Sequence, residues 1–494
     1  MEIELKLAID PHDLPALRRH PALAGITPVR RHLVSRYYDT PDFALTRHGI
    51  ALRVRRVAGR WVQTMKAEAP VVGALASRPE WETPAAGPLP DLALLPEEAR
   101  TRLHGIHPGD LHTAFVTDFW RTAWTLDRGD TRMELALDRG EIQADAAVRP
   151  LCEIEIERLE GHPVPLFDLA LELLESLPLG IDPRSKAARG YALAGAVTPS
   201  PARMQTPRLG RSWEAHEVWR ALQGSALTQL AANVPGFLAQ PEETEYLHQL
   251  RVAARRLRAL SALAPSLGHP RPDWLPALAD ILRALGPARD WDVLLNYRLP
   301  TVLPLFPDTD PALLAHLSAT ATRARQEAQA RITSPAFTRL ILRAGRDLIR
   351  PGPNRRNNAK DWAAALLEKR WKRLKRRAGD LARLPPCERH LARIAAKKLR
   401  YTADALAGLY PNARDRFLLR LSRLQDSLGV MQDAAMANRR LREATLPTPE
   451  LAFQAGNLAG ALAVAAHREE EGGAARWLEL VRTEPFWRGR KSSA

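Results

Sequence analysis

The apolar period of this chain changes once, near residue 197, and that change limits the fold more than any motif does. Before it, apolar residues recur at every second position in short runs, as in RHLVSRYYDT (31–40), IALRVRR (50–56), RWVQTMKAE (60–68), FWRTAWTL (119–126), RMELALD (132–138) and LCEIEIERLE (151–160). A period of two belongs to half-buried strands. Asp-Arg-Gly-Asp at 127–130 separates two of these runs and predicts a hairpin turn. PLFDLALELLESL (165–177) is the clearest helical pattern of this half. Beyond TPSPARMQTPRLGR (198–211), rich in Pro and Arg, nearly everything has helical period. The fold class expected is α+β and multidomain. An antiparallel β-barrel domain with flanking helices spans 1–197, a linker 198–211 and an all-α bundle 212–488.

Charge divides at the same place. Residues 1–200 hold 24 Lys and Arg against 28 Asp and Glu, whereas the remainder holds 48 against 28. A domain with a net charge of +20 calls for a polyanionic partner: nucleic acid, an anionic membrane or a phosphate polymer. The basic half also repeats itself. HQLRVAARRLRAL starts at His248 and HLARIAAKKLRYT at His390, and LGPARD (285–290) is echoed by LGVMQD (428–433) at nearly the same offset. Two matches at one offset predict an internal duplication. His248, Arg251, Arg255 and Arg258 fall at steps of 3, 4 and 3, as do His390, Arg393, Lys397 and Arg400, so each set lines one helix face. KRWKRLKRR (369–377) is a third cationic run, with Lys369, Arg373 and Arg376 near one face.

In the β half the charges alternate with apolar residues and carry both signs. Glu2, Glu4 and Lys6 share a face, as do Arg53 and Arg55, Glu134 and Asp138, and Glu153, Glu155 and Glu157; Lys66 ends another such strand. Facing outward, they are an ordinary solvated surface. Facing inward, they need a ligand, because buried charges must be paired or hold an ion. A polyphosphate with a divalent metal satisfies both sets at once, with carboxylates on the metal and Arg or Lys on the phosphate oxygens. There is no P-loop and no G-x-G-x-x-G after a strand. Cys152 and Cys387 are far apart and predict neither disulfide nor zinc site. No run is long and apolar enough for a membrane helix, and the acidic first residues are unlike a secretory signal, so the expected location is cytoplasmic, with no membrane partner.

Glu2-Ile3-Glu4-Leu5-Lys6 resembles the ExExK signature of the CYTH, or triphosphate tunnel metalloenzyme, superfamily. Tyr37-Tyr38-Asp39-Thr40, Leu52-Arg53-Val54-Arg55, Lys66 after Trp61-Val62-Gln63, Glu153-Ile154-Glu155, and Ser185-Lys186 with Arg189-Gly190-Tyr191 follow in order, over roughly residues 1–195. The resemblance implies a closed antiparallel β-tunnel with the charged faces inward. It implies that Glu2, Glu4, Glu153 and Glu155 hold Mg2+ or Mn2+, the metal pair on the last strand being open to the alternative Glu155 and Glu157. Lys6, Arg53, Arg55, Lys66, Arg121 and Lys186 would hold triphosphate, and Asp138 would belong to the catalytic end. Glu80, Glu82, Glu134 and Arg189 join as further lumen residues.

The twin histidine helices resemble those of the CHAD domain, a helical duplication found fused behind CYTH domains. His248, Arg251, Arg255, Arg256 and Arg258 match one signature helix, and His390, Arg393, Lys397, Lys398 and Arg400 the other. That family implies binding of inorganic polyphosphate, and with it association with polyphosphate granules. The activity expected from the pair of resemblances is metal-dependent hydrolysis of inorganic triphosphate. Thiamine triphosphatase, adenylate cyclase and a non-catalytic polyphosphate-binding adaptor are the alternatives. Aromatic residues are 6% of the chain, which disfavours base stacking and hence a nucleotide substrate; polyphosphate rather than nucleic acid is the partner expected of the basic half.

Overall fold

A computed structural model describes residues 2–67, 71–72, 75–207, 209–210, 212–352, 357–410 and 414–488. The chain forms two compact units. One comprises Met1–Arg203, Leu227–Gln240 and Ile332–Pro351, and the other Met204–Ala226, Pro241–Arg331 and Gly352–Ala494. Of the linker expected at 198–211, residues 208 and 211 lie outside the described residues; the rest has neither helix nor strand.

The first unit is built on one antiparallel sheet of β1 (Glu2–Ala8), β2 (Val29–Asp39), β3 (Ile50–Val57), β4 (Arg60–Ala67), β5 (Val71–Val72), β6 (Leu75–Arg78), β7 (Glu80–Ala85), β8 (His112–Arg128), β9 (Thr131–Ala144) and β10 (Ala147–Glu160). Hydrogen bonding orders them β5-β6-β1-β10-β9-β8-β2-β3-β4-β7. The chain itself links the two sides of that order. β6 pairs with β1, β7 pairs with β4, and only Pro79 separates β6 from β7. One segment, 75–85, therefore changes neighbour in mid-course and closes the curled sheet into a ring. Proline suits the changeover because it has no N–H to leave unpaired, and its carbonyl accepts from the Ala67 N–H at 3.2 Å.

Tight turns fix the register on which the site depends. β8 and β9 are joined by Gly129 and Asp130 inside the expected turn, with Gly129 at φ 63°. β3 and β4 are joined by Ala58 and Gly59, at φ 49° and 84°, the double left-handed pattern that matches the twist of a hairpin. Since side chains alternate, one face of β1 and β10 takes Leu5, Leu7, Ile154 and Ile156, all buried, and the other takes the charges. Each such Leu or Ile contributes roughly 1.5–3 kcal/mol by leaving water.

The expected helix at 165–177 is Val164–Leu173. It packs on Pro335–Ile349, a helix from the sequence region expected to be wholly the second domain. Gly345 lets the two approach, for a Cβ there would stand 2.6 Å from the Phe167 ring. Thr338 Oγ1 donates to the Leu179 carbonyl at 2.7 Å.

The second unit is helical, and its duplication is visible in its ion pairs. Helices Thr244–Ser261 and Pro386–Leu406 carry the twin sequences and contact each other. Asp290 of the first repeat pairs with Arg440 at 3.0 Å, and Asp433 of the second pairs with Arg298 at 3.2 Å. Each carboxylate thus meets the arginine of the opposite repeat, as a pseudo-twofold relation requires. Among the described residues no helix is long and apolar enough to cross a membrane.

Candidate active site and cationic helices

The charged faces of the first unit point inward, into a cavity of about 580 Å³. Its walls include Glu2, Glu4, Lys6, Arg53, Arg55, Lys66, Arg121, Glu155 and Lys186 from the expected set, with Glu80, Glu82 and Glu157. Cross-strand register makes the pairs: Lys6 lies opposite Glu155, Lys66 opposite Glu80 and Arg121 opposite Asp138. Lys6 Nζ donates to Glu4 at 3.0 Å and also meets Glu155. Lys66 Nζ donates to both oxygens of Glu2, at 2.7 and 2.8 Å. Burial opposes the charge of Glu2, but Lys66 and Arg78 outweigh it and hold its carboxyl down at about 2.

Asp138 and Glu153 stand behind this wall and are not among its lining residues. Asp138 is fully buried, receives a bidentate Arg121 at 2.8 and 2.6 Å, and lies 2.6 Å from Lys186 Nζ. Glu153 pairs with Lys186 and Arg189. Oxygens of Asp138, Glu153 and Glu155 lie within 4.8 Å of one another. Despite burial, Lys186 and Arg121 keep Asp138 below the ordinary carboxylate range, while Asp138, Glu153 and Glu155 keep Lys186 firmly protonated.

Two deficits stand out in this lumen. Arg53 and Arg55 each have a buried Nε without a partner, and their nearest acids are distant, Glu80 at 3.8 Å and Glu82 at 3.5 Å. Arg55 is pushed down to about 10, first by neighbouring Arg53 and then by burial. The opposite deficit lies at Glu157. Its register neighbours are Glu4 on β1 and Glu134 on β9, so three carboxylates form one row across three strands. Among the described residues no ion pair reaches Glu157, and burial, followed by Glu2 and Glu4, pushes its carboxyl up to about 7. Like charges opposed in a sheet repel unless a cation lies between them, so the acid set fits a divalent ion.

Sequence reasoning missed Arg78 and gave Tyr37 no role. Arg78 lies opposite Glu2, donates to it through Nε at 3.0 Å and also reaches Glu4. It precedes Glu80 by two residues, but Pro79 interrupts the alternation between them, so no clear period marked it. Tyr37 lines the cavity; burial would raise its hydroxyl, but Arg53, which donates to it, draws it below the ordinary range.

In the second unit the expected cations do not form one continuous track. Arg251, Arg255, Arg393 and Lys397 come together with His248 and Arg289, and Asp290 and Asp433 are the carboxylates beside them. Burial first, then Arg393 and Arg255, brings Lys397 down to about 7 against the pull of Asp433. Arg256 and Arg400 turn instead to Asp404, with Arg400 Nε 3.4 Å from it. Lys398 and Arg258 lie near Arg370 and Arg373 of the third cationic run, and His390 is exposed at the start of its helix. The acids that sort the stripes apart, Asp404 and Asp433, were not singled out as site residues in the sequence.

Family models match residues 1–191 as a CYTH domain and residues 221–442 as a CHAD domain. The chain is a CYTH domain followed by a CHAD domain. It is 34% identical over 203 residues to the inorganic triphosphatase of Haemophilus influenzae, a match covering 39% of this chain and 54% of that protein. The match thus spans about half the length of this curated relative. The CHAD domain from the plant Ricinus communis, known as a crystal structure, is 27% identical with a TM-score of 0.54, covering 58% of this chain and 98% of its own.

Proposed function

We propose that the CYTH lumen hydrolyses inorganic triphosphate to pyrophosphate and phosphate with Mg2+ or Mn2+, and that the CHAD unit binds inorganic polyphosphate. One observation carries the first part: buried guanidinium Nε atoms of Arg53 and Arg55 that lack an acceptor border the same cavity as Glu157, which no ion pair reaches among the described residues. An anion alone answers only the first deficit and a metal alone only the second. The lining holds eight cations against six carboxylates. A metal-bound triphosphate, with about two to three net negative charges near neutral pH, complements that balance.

Glu2, Glu4, Glu155 and Glu157 hold the divalent ion, which when bound polarises the phosphoryl group as a Lewis acid. Arg53, Arg55, Lys66 and Lys6 bind the non-bridging oxygens and stabilise the charge spread over them as the anhydride breaks. Asp138 and Glu153 fix Arg121, Lys186 and Arg189 from behind, so these cations are positioned before the substrate arrives. No Ser or Cys nucleophile is needed when positioning and electrostatics dominate. The 34% identity to an inorganic triphosphatase supports the anhydride as the bond attacked and inorganic triphosphate as the substrate.

Phosphate release from inorganic triphosphate, ATP and thiamine triphosphate, with and without Mg2+ or Mn2+, tests the reading. Metal-dependent release from inorganic triphosphate in clear preference to the others is expected; release from none of them refutes it. For the CHAD unit, binding of long-chain polyphosphate that DNA or RNA fails to displace is expected, and displacement by either at equal phosphate concentration refutes it.

A further inference from the structure

The carboxylates of β1 already have a cation between them. Arg78 is 17% exposed, lies opposite Glu2 in the β1–β6 register, and reaches both Glu2 and Glu4. Lys66 completes the set on Glu2 and Lys6 on Glu4. Any metal held by Glu2 and Glu4 must therefore take oxygens that these side chains now occupy. Lys6 and Lys66 have other acids to keep, Glu155 and Glu80 respectively. Arg78 has no ion pair beyond Glu2 and Glu4 among the described residues.

We infer that Arg78 is an exchangeable counter-ion: it neutralises Glu2 and Glu4 in the metal-free tunnel and yields them when a divalent metal binds. The inference rests on the metal-dependent reading above. Its position makes the exchange feasible, because Arg78 ends β6 immediately before Pro79 and borders the cavity, where a long side chain can swing toward the phosphate oxygens without leaving the lumen. Arg78 thus gives a fixed positive charge to whichever partner lacks one. In the absence of substrate it competes with the metal, and in its presence it joins Arg53 and Arg55. A purely structural arginine would behave oppositely, since its removal would disorder the carboxylates and weaken the metal.

Mn2+ binding to the full chain without phosphate, followed by calorimetry and by loss of the free-ion electron-spin signal, separates these roles. Arg78→Gln is expected to tighten Mn2+ by about tenfold or more, the water-screened lower bound for removing a unit charge roughly 6 Å from a divalent ion. Arg78→Lys, which keeps the charge, should stay close to wild type, and Arg78→Met, which keeps the aliphatic stem, should reproduce Arg78→Gln should the latter not fold. Unchanged or weaker Mn2+ binding in both neutral variants overturns the exchange while leaving the metal-dependent reading intact. No Mn2+ binding by wild type or variants overturns both. Binding by the neutral variants alone supports the exchange.

Discussion

Lys397 offers a measurable proton. Burial and its neighbours Arg393 and Arg255 bring its ammonium from 10.5 to about 7, with Asp433 as the opposing acid and Arg251 adding to the fall. His248 and Arg289 approach the same cluster from other helices. A polyanion seated on these cations offsets their repulsion and adds its own attraction against the cost of burial, and so raises Lys397 toward its ordinary range, by at most about 5 kcal/mol in favour of the charged form. The direction follows from linkage. The unliganded lysine is about half protonated at pH 7 and roughly one-tenth protonated at pH 8, so binding takes up about half a proton at pH 7 and about 0.9 at pH 8. Affinity should then fall as pH rises above about 7, approaching tenfold per unit between pH 8 and 10. The unliganded unit has the opposite slope: its unfolded state binds the proton more strongly, so stability rises from pH 7 toward 10.5. Calorimetry of polyphosphate binding at pH 8, in buffers of different ionisation enthalpy, reads the proton directly. At that pH His248, whose imidazole is held below 6.5 first by burial and then by Arg289, adds little. Lys397→Met should bind more weakly at pH 7 yet lose the uptake and flatten the profile. Undiminished uptake in Lys397→Met, or none in wild type at pH 8, would refute the reasoning.

Glu4→Ala should abolish metal-dependent phosphate release while polyphosphate binding by the CHAD unit persists; joint loss of both in a folded variant contradicts the division of labour. Asp138→Asn takes the bidentate partner from Arg121 and one of three carboxylates from Lys186, with Glu155 left to hold both, and should lower stability by about 1–3 kcal/mol in denaturant titration; an unchanged titration would show that the pair contributes nothing. Gly345→Ala drives a methyl against the Phe167 ring and should cost about 1–3 kcal/mol, read as a lower melting temperature; an unchanged melting curve would show that the ring has room to turn.

Much of the lumen was legible because strand alternation assigns a face to every residue at once. For Glu2, Glu4, Lys6, Arg53 and Arg55 that rule gave the shared face, and the resemblance to the tunnel family gave the direction in which it points. Glu153 and Glu157 show its limit: both share a face with Glu155, and which of them reaches the cavity is decided by tilt and register against β1 and β9. Arg78 was hidden because β6 has only four residues and ends at a proline, too short to display a period. The helix Pro335–Ile349 was readable as amphipathic, yet a period reveals the face that is buried and not the element that buries it. Likewise the steps of 3, 4 and 3 placed six cations and two histidines on two helices, and carboxylates that the steps did not mark, Asp404 on the second of those helices and Asp433 on another, divided them.

The changeover at Pro79 also bears on how the tunnel can be assembled. The hairpins β3–β4 and β8–β9–β10 join neighbours in sequence and can form early, whereas β1 must find β10 about 150 positions away, a slow pairing by loop-closure entropy. The segment 75–85 can complete its bonds only after β1 and β4 are both in place, so it is the last stave of the ring. That stave carries Arg78, Glu80 and Glu82. Closing the wall and completing the lumen's charge pattern are therefore one folding event, and a chain that mispairs at this seam forfeits its ligand site together with its closure.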